Sequence, residues 1–318
     1  MQLLADIGGT NTRIASLDAG GNISNIVVQK NDAFDNLKEI LIQYVHRNAS
    51  QNHFVSGALA VAAPVEGDTV HFTNRSWHYS NDELANDLGM SFLKTINDFT
   101  ANAMSLPFLT GSDVISVGSG HSMPGKPLAI IGPGTGLGVS SLIPDASGQW
   151  TAISGEGGHV TLAAGSNLEA RIIQTVREEH GHVSAERLLC GSGLTNLYQA
   201  ICWEKGVKPK LVKPEIVGSL AKQGDLIAQQ TIAMFFSLLG SVAGNLALTL
   251  GSKGGVYIAG GIVPRFKEDF VVSNFRSRFS DKGRYKHYND SIATHLVIAR
   301  LPAFIGLRAY LQGKVSAI

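Results

Sequence analysis

The run Ala5-Asp6-Ile7-Gly8-Gly9-Thr10-Asn11-Thr12-Arg13 constrains this chain more than any other segment. Apolar Leu3-Leu4 leads into it and Ile14-Ala15 leads out. That pattern predicts strand, tight glycine turn, strand. A Walker loop or a dinucleotide loop needs a helix start after its glycines, and a Walker loop also needs a lysine. Here a second strand-like run continues to Leu17 and no lysine is present. A hairpin with Gly8, Gly9 and Thr10 at its tip can still take a phosphate. Glycine admits backbone conformations closed to other residues and lets the main chain approach a ligand. Successive N–H groups then form an anion nest. Asp6, just before the turn, is placed to hold Mg²⁺ directly or through a water beside those phosphates.

The chain has 318 residues, too many for one typical core, which predicts two domains. With 44% hydrophobic and 16% charged residues it is globular rather than disordered. A net charge of +1 offers no electrostatic case for nucleic acid or an acidic membrane. The two cysteines, Cys190 and Cys202, form no CxxC pair and cannot complete a zinc set. They predict reduced thiols in a cytosolic protein. The N-terminus lacks a basic start and a long apolar stretch, so no signal peptide is expected. Ser316-Ala317-Ile318 matches no peroxisomal or retention signal. From Leu226 to Ser252 no residue is charged, long enough to imitate a membrane span. Ser237, Ser241, Asn245, Thr249, three glycines and the lack of flanking aromatics argue for a buried central helix instead.

Strands are predicted over 3–17 with a turn inside, 23–29, 55–62, 69–72 and 92–96. Phe34, Leu37, Ile40, Leu41, Tyr44 and Val45 follow helical spacing after a cap at Asn31 or Asp32. Ser80-Asn81-Asp82-Glu83 fits a capping box, and Ala101 to Leu106 a helix. A second unit begins near Val114. There Leu128-Ala129-Ile130-Ile131, the turn Gly132-Pro133-Gly134-Thr135-Gly136 and the strand from Leu137 to Ile143 repeat the logic of the N-terminus. Two such hairpins about 125 residues apart predict a duplicated architecture with a ligand between halves. Helices follow near 167–180, 193–204, 214–222, 225–250 and 303–311, and a strand over 255–259 ends at Gly260-Gly261. The domains expected are a small one, 1–108 plus 300–318, and a large one, 109–299.

Asp98 leads the candidates for catalysis. A carboxylate at a strand end, facing a cleft, can accept a proton from a substrate hydroxyl. It can equally cap the helix that follows. Asn97 on its own reads as a turn residue. Gly155-Glu156-Gly157-Gly158-His159 sets a carboxylate and an imidazole on a bare loop, where each can bond sugar hydroxyls. Metal ligation, a plain turn, or His159 as a general base compete with that reading. Glu186 alone reads as a helix-surface charge, and Gly260-Gly261 alone as a turn.

In order along the chain these motifs resemble those of bacterial glucokinases of the group without a zinc motif, within the sugar kinase, Hsp70 and actin superfamily. The resemblance rests on Asp6-Ile7-Gly8-Gly9-Thr10-Asn11, Thr73-Asn74-Arg75-Ser76-Trp77 and Ile96-Asn97-Asp98-Phe99. It continues through Gly132-Pro133-Gly134-Thr135-Gly136-Leu137-Gly138, Gly155-Glu156-Gly157-Gly158-His159, Glu186-Arg187-Leu188-Leu189-Cys190-Gly191-Ser192-Gly193 and Ala259-Gly260-Gly261-Ile262. The family's TN-x-x-W segment, matched by 73–77, lies near its sugar cleft.

The resemblance implies a two-domain α/β fold, duplicated and ribonuclease-H-like (actin-like ATPase), with a ligand cleft between domains. It implies ATP-dependent phosphorylation of D-glucose at the 6-hydroxyl, with Asp98 as the base and Asn97, Asp98, Glu156, His159 and Glu186 holding the hexose. ATP and Mg²⁺ are the implied cofactors. Ala5, Asp6, Ile7, Gly8, Gly9, Thr10 and Asn11 would grip the nucleotide with Gly134, Thr135, Gly136, Gly260 and Gly261, and Asp6 would serve the metal. The family is usually a homodimer, and the reduced cysteines point to the cytoplasm. The residues after His159 carry no CxCGxxGC zinc motif, and no helix-turn-helix segment precedes the first loop. These features weigh against a zinc-stabilised sugar site and a DNA-binding repressor. Another hexose, such as mannose or fructose, or a sugar-binding sensor without turnover, remains an alternative.

Overall fold

The computed structural model describes residues 1–48, 53–65, 67–72, 75–210 and 213–317. Thr73 and Asn74 of the TN-x-x-W segment and Ile318 lie outside the described residues. The strands, in chain order, are β1 (Gln2–Ile7), β2 (Asn11–Leu17), β3 (Ile23–Lys30), β4 (Ser56–Val61), β5 (Thr69–His71), β6 (His78–Ser80) and β7 (Phe92–Asn97). They continue as β8 (Val114–Ser116), β9 (Leu128–Pro133), β10 (Leu137–Pro144), β11 (Trp150–Gly155), β12 (Gly255–Ile258), β13 (Thr294–Val297) and β14 (Val315–Ala317). The α-helices are α1 (Leu37–Asn48), α2 (Asn81–Asp87), α3 (Asp98–Ser105), α4 (Asn167–His180), α5 (Ala185–Leu188) and α6 (Gly191–Glu204). After them come α7 (Pro214–Lys222), α8 (Leu226–Leu250), α9 (Lys267–Val271), α10 (Phe275–Ser280), α11 (Lys286–Asp290) and α12 (Pro302–Leu311).

The chain divides into two compact units. One comprises Met1–Leu109, Leu142–Ser154 and Arg300–Ile318, the other Thr110–Ser141 and Gly155–Ala299.

In the first unit a five-stranded sheet runs β3-β2-β1-β4-β7. β1 and β2 form the expected hairpin, antiparallel, with Ile7 opposite Thr12. β4 lies parallel to β1 and β7 parallel to β4. All six residues of β4 are buried, as a central strand covered on both faces requires. Leu37, Ile40, Leu41 and Tyr44 of α1, spaced for one helical face, join Leu3, Ile7, Ile14 and Leu59 in one core. Helix α1 starts later than its apolar spacing suggests. Asn36 Oδ1 accepts the Glu39 N–H at 3.0 Å, so Asn36 serves as the start signal rather than Asn31 or Asp32. The capping box of α2 forms as expected, with Ser80 Oγ accepting from Glu83 N at 3.1 Å. β14, a strand the sequence pattern does not announce, pairs parallel with β11.

The larger sheet runs β14-β11-β10-β9-β12-β13-β8. Its stretch β11-β10-β9-β12-β13 repeats the order β3-β2-β1-β4-β7, hairpin first and parallel crossovers after, so the architecture is duplicated. β12 is parallel to both β9 and β13. α8 is long and apolar enough to cross a membrane, yet two-thirds of its most apolar window is buried in this unit's own core. Asp225 caps it through Ala228 N, and Gly251 ends it in the left-handed region at φ 60°. Cys190 and Cys202 are both free and buried.

Candidate active site

In the first unit, sheet register brings the first glycine hairpin and the catalytic candidate to one edge. Ile7 pairs with Val61, and Val61 with Asn97. The turn that follows Ile7 and the carboxylate that follows Asn97 thus leave the carboxyl ends of strands two apart. At a spacing of about 4.8 Å per strand that is roughly 10 Å. Ligands of open α/β sheets bind at this edge.

The end of β7 also separates the roles of Asn97 and Asp98. Helix α3 begins at Asp98, three residues before its apolar spacing suggests, because Asn97 caps it. Asn97 Oδ1 accepts from Phe99 N at 2.9 Å and from Thr100 N at 3.1 Å, and its Nδ2 donates to Ala63 O at 3.3 Å. Asp98 Oδ1 takes a share of the Phe99 N–H at 2.8 Å. The main cap is therefore the neighbour, and Asp98 stands at the first turn of the helix.

The hairpin tip is shaped from behind. Gly8 N donates to Asn11 O at 3.0 Å, which closes the turn. Asn31 is fully buried. Its Nδ2 donates to Gly8 O at 2.8 Å and Gly9 O at 3.3 Å, and its Oδ1 accepts from Thr12 Oγ1 at 2.8 Å. Sequence reasoning offered Asn31 only as a helix cap. A polar side chain just after a strand that pairs with the hairpin was the available signal. Asp6 is one-fifth exposed and lies 3.1 Å from Arg13 Nη1. Burial pushes its carboxyl above the usual range, and the Arg13 charge offsets this only in part.

The second unit gathers the other motifs. Gly134 N donates to Gly136 O at 2.7 Å, closing the second glycine turn, and Gly191 N at the start of α6 donates to Gly134 O at 2.9 Å. The Gly260-Gly261 turn lies against it. Gly260 has φ +81°, and a Cβ there would stand 2.3 Å from Pro133 O. Glu186 is not a surface charge: its Oε2 accepts the Leu137 N–H at 2.8 Å. His159 Nε2 lies 3.9 Å from both Glu156 Oε2 and Glu186 Oε1. Glu156, His159 and Glu186 thus form one cluster beside the second hairpin. Gly158 makes this approach feasible, since a Cβ there would fall 2.1 Å from Leu137 O. The strand-like stretch after His159 fixes the cluster further. Leu162 N donates to Val183 O and Ala185 N to Val160 O, at 3.0 and 2.9 Å.

Among the described residues no group of three or more His, Cys, Asp or Glu side chains stands ready to hold an ion. Asp6, beside the first glycine turn, is a carboxylate of the kind that Mg²⁺ shares with a nucleotide.

Comparison with known proteins covers nearly the whole length of the chain. The glucokinase family model matches residues 3–314. A glucokinase of Paramagnetospirillum magneticum is 44% identical over 100% of this chain and 99% of its own. One of Nitrobacter hamburgensis is 46% identical over 96% of each. The crystal structure of a glucokinase from an Antarctic psychrotroph superposes with a TM-score of 0.89 at 34% identity, covering 98% of both chains.

Proposed function

The chain belongs to the glucokinase family, enzymes of ATP-dependent glucose phosphorylation on the duplicated actin-like ATPase fold, and on that premise we propose how its residues divide the reaction. Asp98 is the general base. It takes the proton of the glucose 6-hydroxyl as that oxygen bonds to the γ-phosphorus, and the bridging oxygen leaves with ADP. Asn97, Glu156, His159 and Glu186 hold the sugar hydroxyls. Glu186 accepts a backbone N–H with one carboxylate oxygen and faces His159 with the other, so its orientation is fixed before substrate arrives.

The backbone of 5–11 and 134–136 supplies N–H groups to the phosphates, and Gly260-Gly261 lies on the nucleotide side. Asp6 holds Mg²⁺, directly or through a water. Bound there, the metal would neutralise phosphate charge as it builds up in the transition state. Buried free cysteines support a cytoplasmic setting, and the family's usual homodimer is the expected assembly.

The observation that carries this reading is the end of β7. There sheet register sets Asp98, just after Asn97, at the same carboxyl edge as the glycine turn after Ile7, which supports Asp98 as the base. The experiment is ADP release from Mg-ATP with glucose, mannose, fructose and N-acetylglucosamine. Glucose-dependent turnover well above the others is expected. Asp98→Ala should lower kcat by roughly 10²–10⁴-fold. A variant that keeps most of its kcat would remove Asp98 from the mechanism.

A further inference from the structure

Arg75 lies in the segment that resemblance assigns to the sugar, yet its side chain engages the phosphate hairpin. Nη2 donates to Gly9 O at 3.0 Å and to Asp32 Oδ1 at 2.7 Å. The guanidinium carbon stands 4.5 Å from the Trp77 ring centroid, a cation–π stack. The Arg75 side chain is 20% exposed, while Asp32 is 84% exposed. Its Nε is buried with no partner among the described residues.

The other carbonyls of the turn are engaged in the same way. Asn31 Nδ2 holds those of Gly8 and Gly9, Asn31 N donates to Thr10 O at 2.9 Å, and Gly8 N to Asn11 O. Every carbonyl from Gly8 to Asn11 therefore accepts a protein hydrogen bond. The N–H groups of Gly9 and Thr10 donate to no protein atom among the described residues. A phosphate is attracted by N–H groups and repelled by a carbonyl oxygen turned toward it. Gly9 is the one residue of the turn whose carbonyl also depends on a side chain from a distant segment, and a glycine peptide is the one that flips most readily.

We propose that Arg75 is a positioning residue for the nucleotide phosphates: it locks the Gly9 carbonyl inward so that the hairpin presents N–H groups to ATP. The proposal rests on the assignment of the hairpin to ATP. Trp77 stacks the guanidinium plane and Asp32 holds its edge, and an ammonium group at position 75 satisfies neither geometry fully.

The test is steady-state kinetics of Arg75→Met and Arg75→Lys, varying ATP at saturating glucose and glucose at saturating ATP. Arg75→Met should raise the ATP KM about five- to tenfold, the loss of one charge-assisted hydrogen bond, with the glucose KM within about twofold of wild type. Arg75→Lys should recover only part of it. Inhibition by adenosine, which has no phosphate, should be unchanged in both. A rise in glucose KM with ATP KM constant, or no change in either, overturns the proposal. Should Arg75→Met not fold, Asp32→Asn gives the same reading from an exposed site, with a smaller rise in ATP KM expected and an unchanged value counting against the role. A wild-type enzyme that released no ADP with glucose would fault the assignment of the activity instead.

Discussion

At Asp6 function and stability pull in opposite directions. The carboxylate is the one we propose for the metal, but burial raises its affinity for a proton and Arg13 compensates only in part. The folded protein then binds this proton more tightly than the unfolded chain does. Stability from this group is greatest below its unfolded value of 3.8 and falls as pH rises through the higher folded value. Asp6→Asn removes the buried charge and leaves a half-exposed Arg13 that water can solvate. We expect the variant to be more stable than wild type at pH 7 and equal to it near pH 4, as read by urea denaturation at the two values. Its turnover with Mg-ATP should be low at both. An Asn variant less stable than wild type at pH 7 would mean that the pair with Arg13 outweighs the burial.

Helix packing shows what a glycine inside an apolar helix is for. Gly306 of α12 faces α3 so closely that a Cβ would stand 1.9 Å from Ala101 O. That oxygen belongs to backbone and cannot swing away. Gly306→Ala should therefore destabilise the protein by about 1–3 kcal/mol, although alanine favours helix by itself, and chemical denaturation would measure it. Gly240 and Gly244 do the same for α8, bringing it against the backbone of α10 at Phe275 and Phe279. In the sequence those glycines could only argue weakly against a membrane span. Much else at this scale was legible, because long elements carry their own period. α4, α7 and α8 fall within a residue of their expected bounds, and both glycine hairpins announce themselves by composition. What escaped depends on distant partners or unusual chemistry. β14 has three residues and its register comes from β11, far off in the chain. α6 starts at Gly191 rather than Gly193 because a thiol, Cys190 Sγ, accepts the Gly193 N–H, and cysteine is not among the usual caps. The site residues Asp98, Glu156, His159 and Glu186 were visible as types in order. The bond from Leu137 N to Glu186 was not, since 49 residues separate its ends.

For the molecule as a whole, the two repeats carry different side chains at the ends of the same strand order. The hairpin of the first repeat and the carboxylate at the end of β7 stand at one sheet edge. The hairpin of the second is joined to Glu186 and, through it, to His159 and Glu156. In the proposed division, binding and proton transfer depend on separate groups, and equilibrium unfolding can tell them apart. A ligand that binds only the folded state stabilises it by RT ln(1 + [L]/Kd), about 2.7 kcal/mol at a hundredfold excess over Kd. Asp98→Asn keeps a polar group of the same shape and loses the base. We expect this variant to be stabilised by glucose and by Mg-ATP nearly as much as wild type while its turnover falls by orders of magnitude. Glu186→Gln should show the converse balance. An amide there still accepts the Leu137 N–H but gives up its charge beside His159, so glucose-induced stabilisation should shrink more than that from Mg-ATP. Thermal melts of the three proteins with each ligand separately would decide it. Equal loss of both ligands' effects in the Glu186 variant would mean that the cluster supports the second hairpin as a whole rather than the sugar.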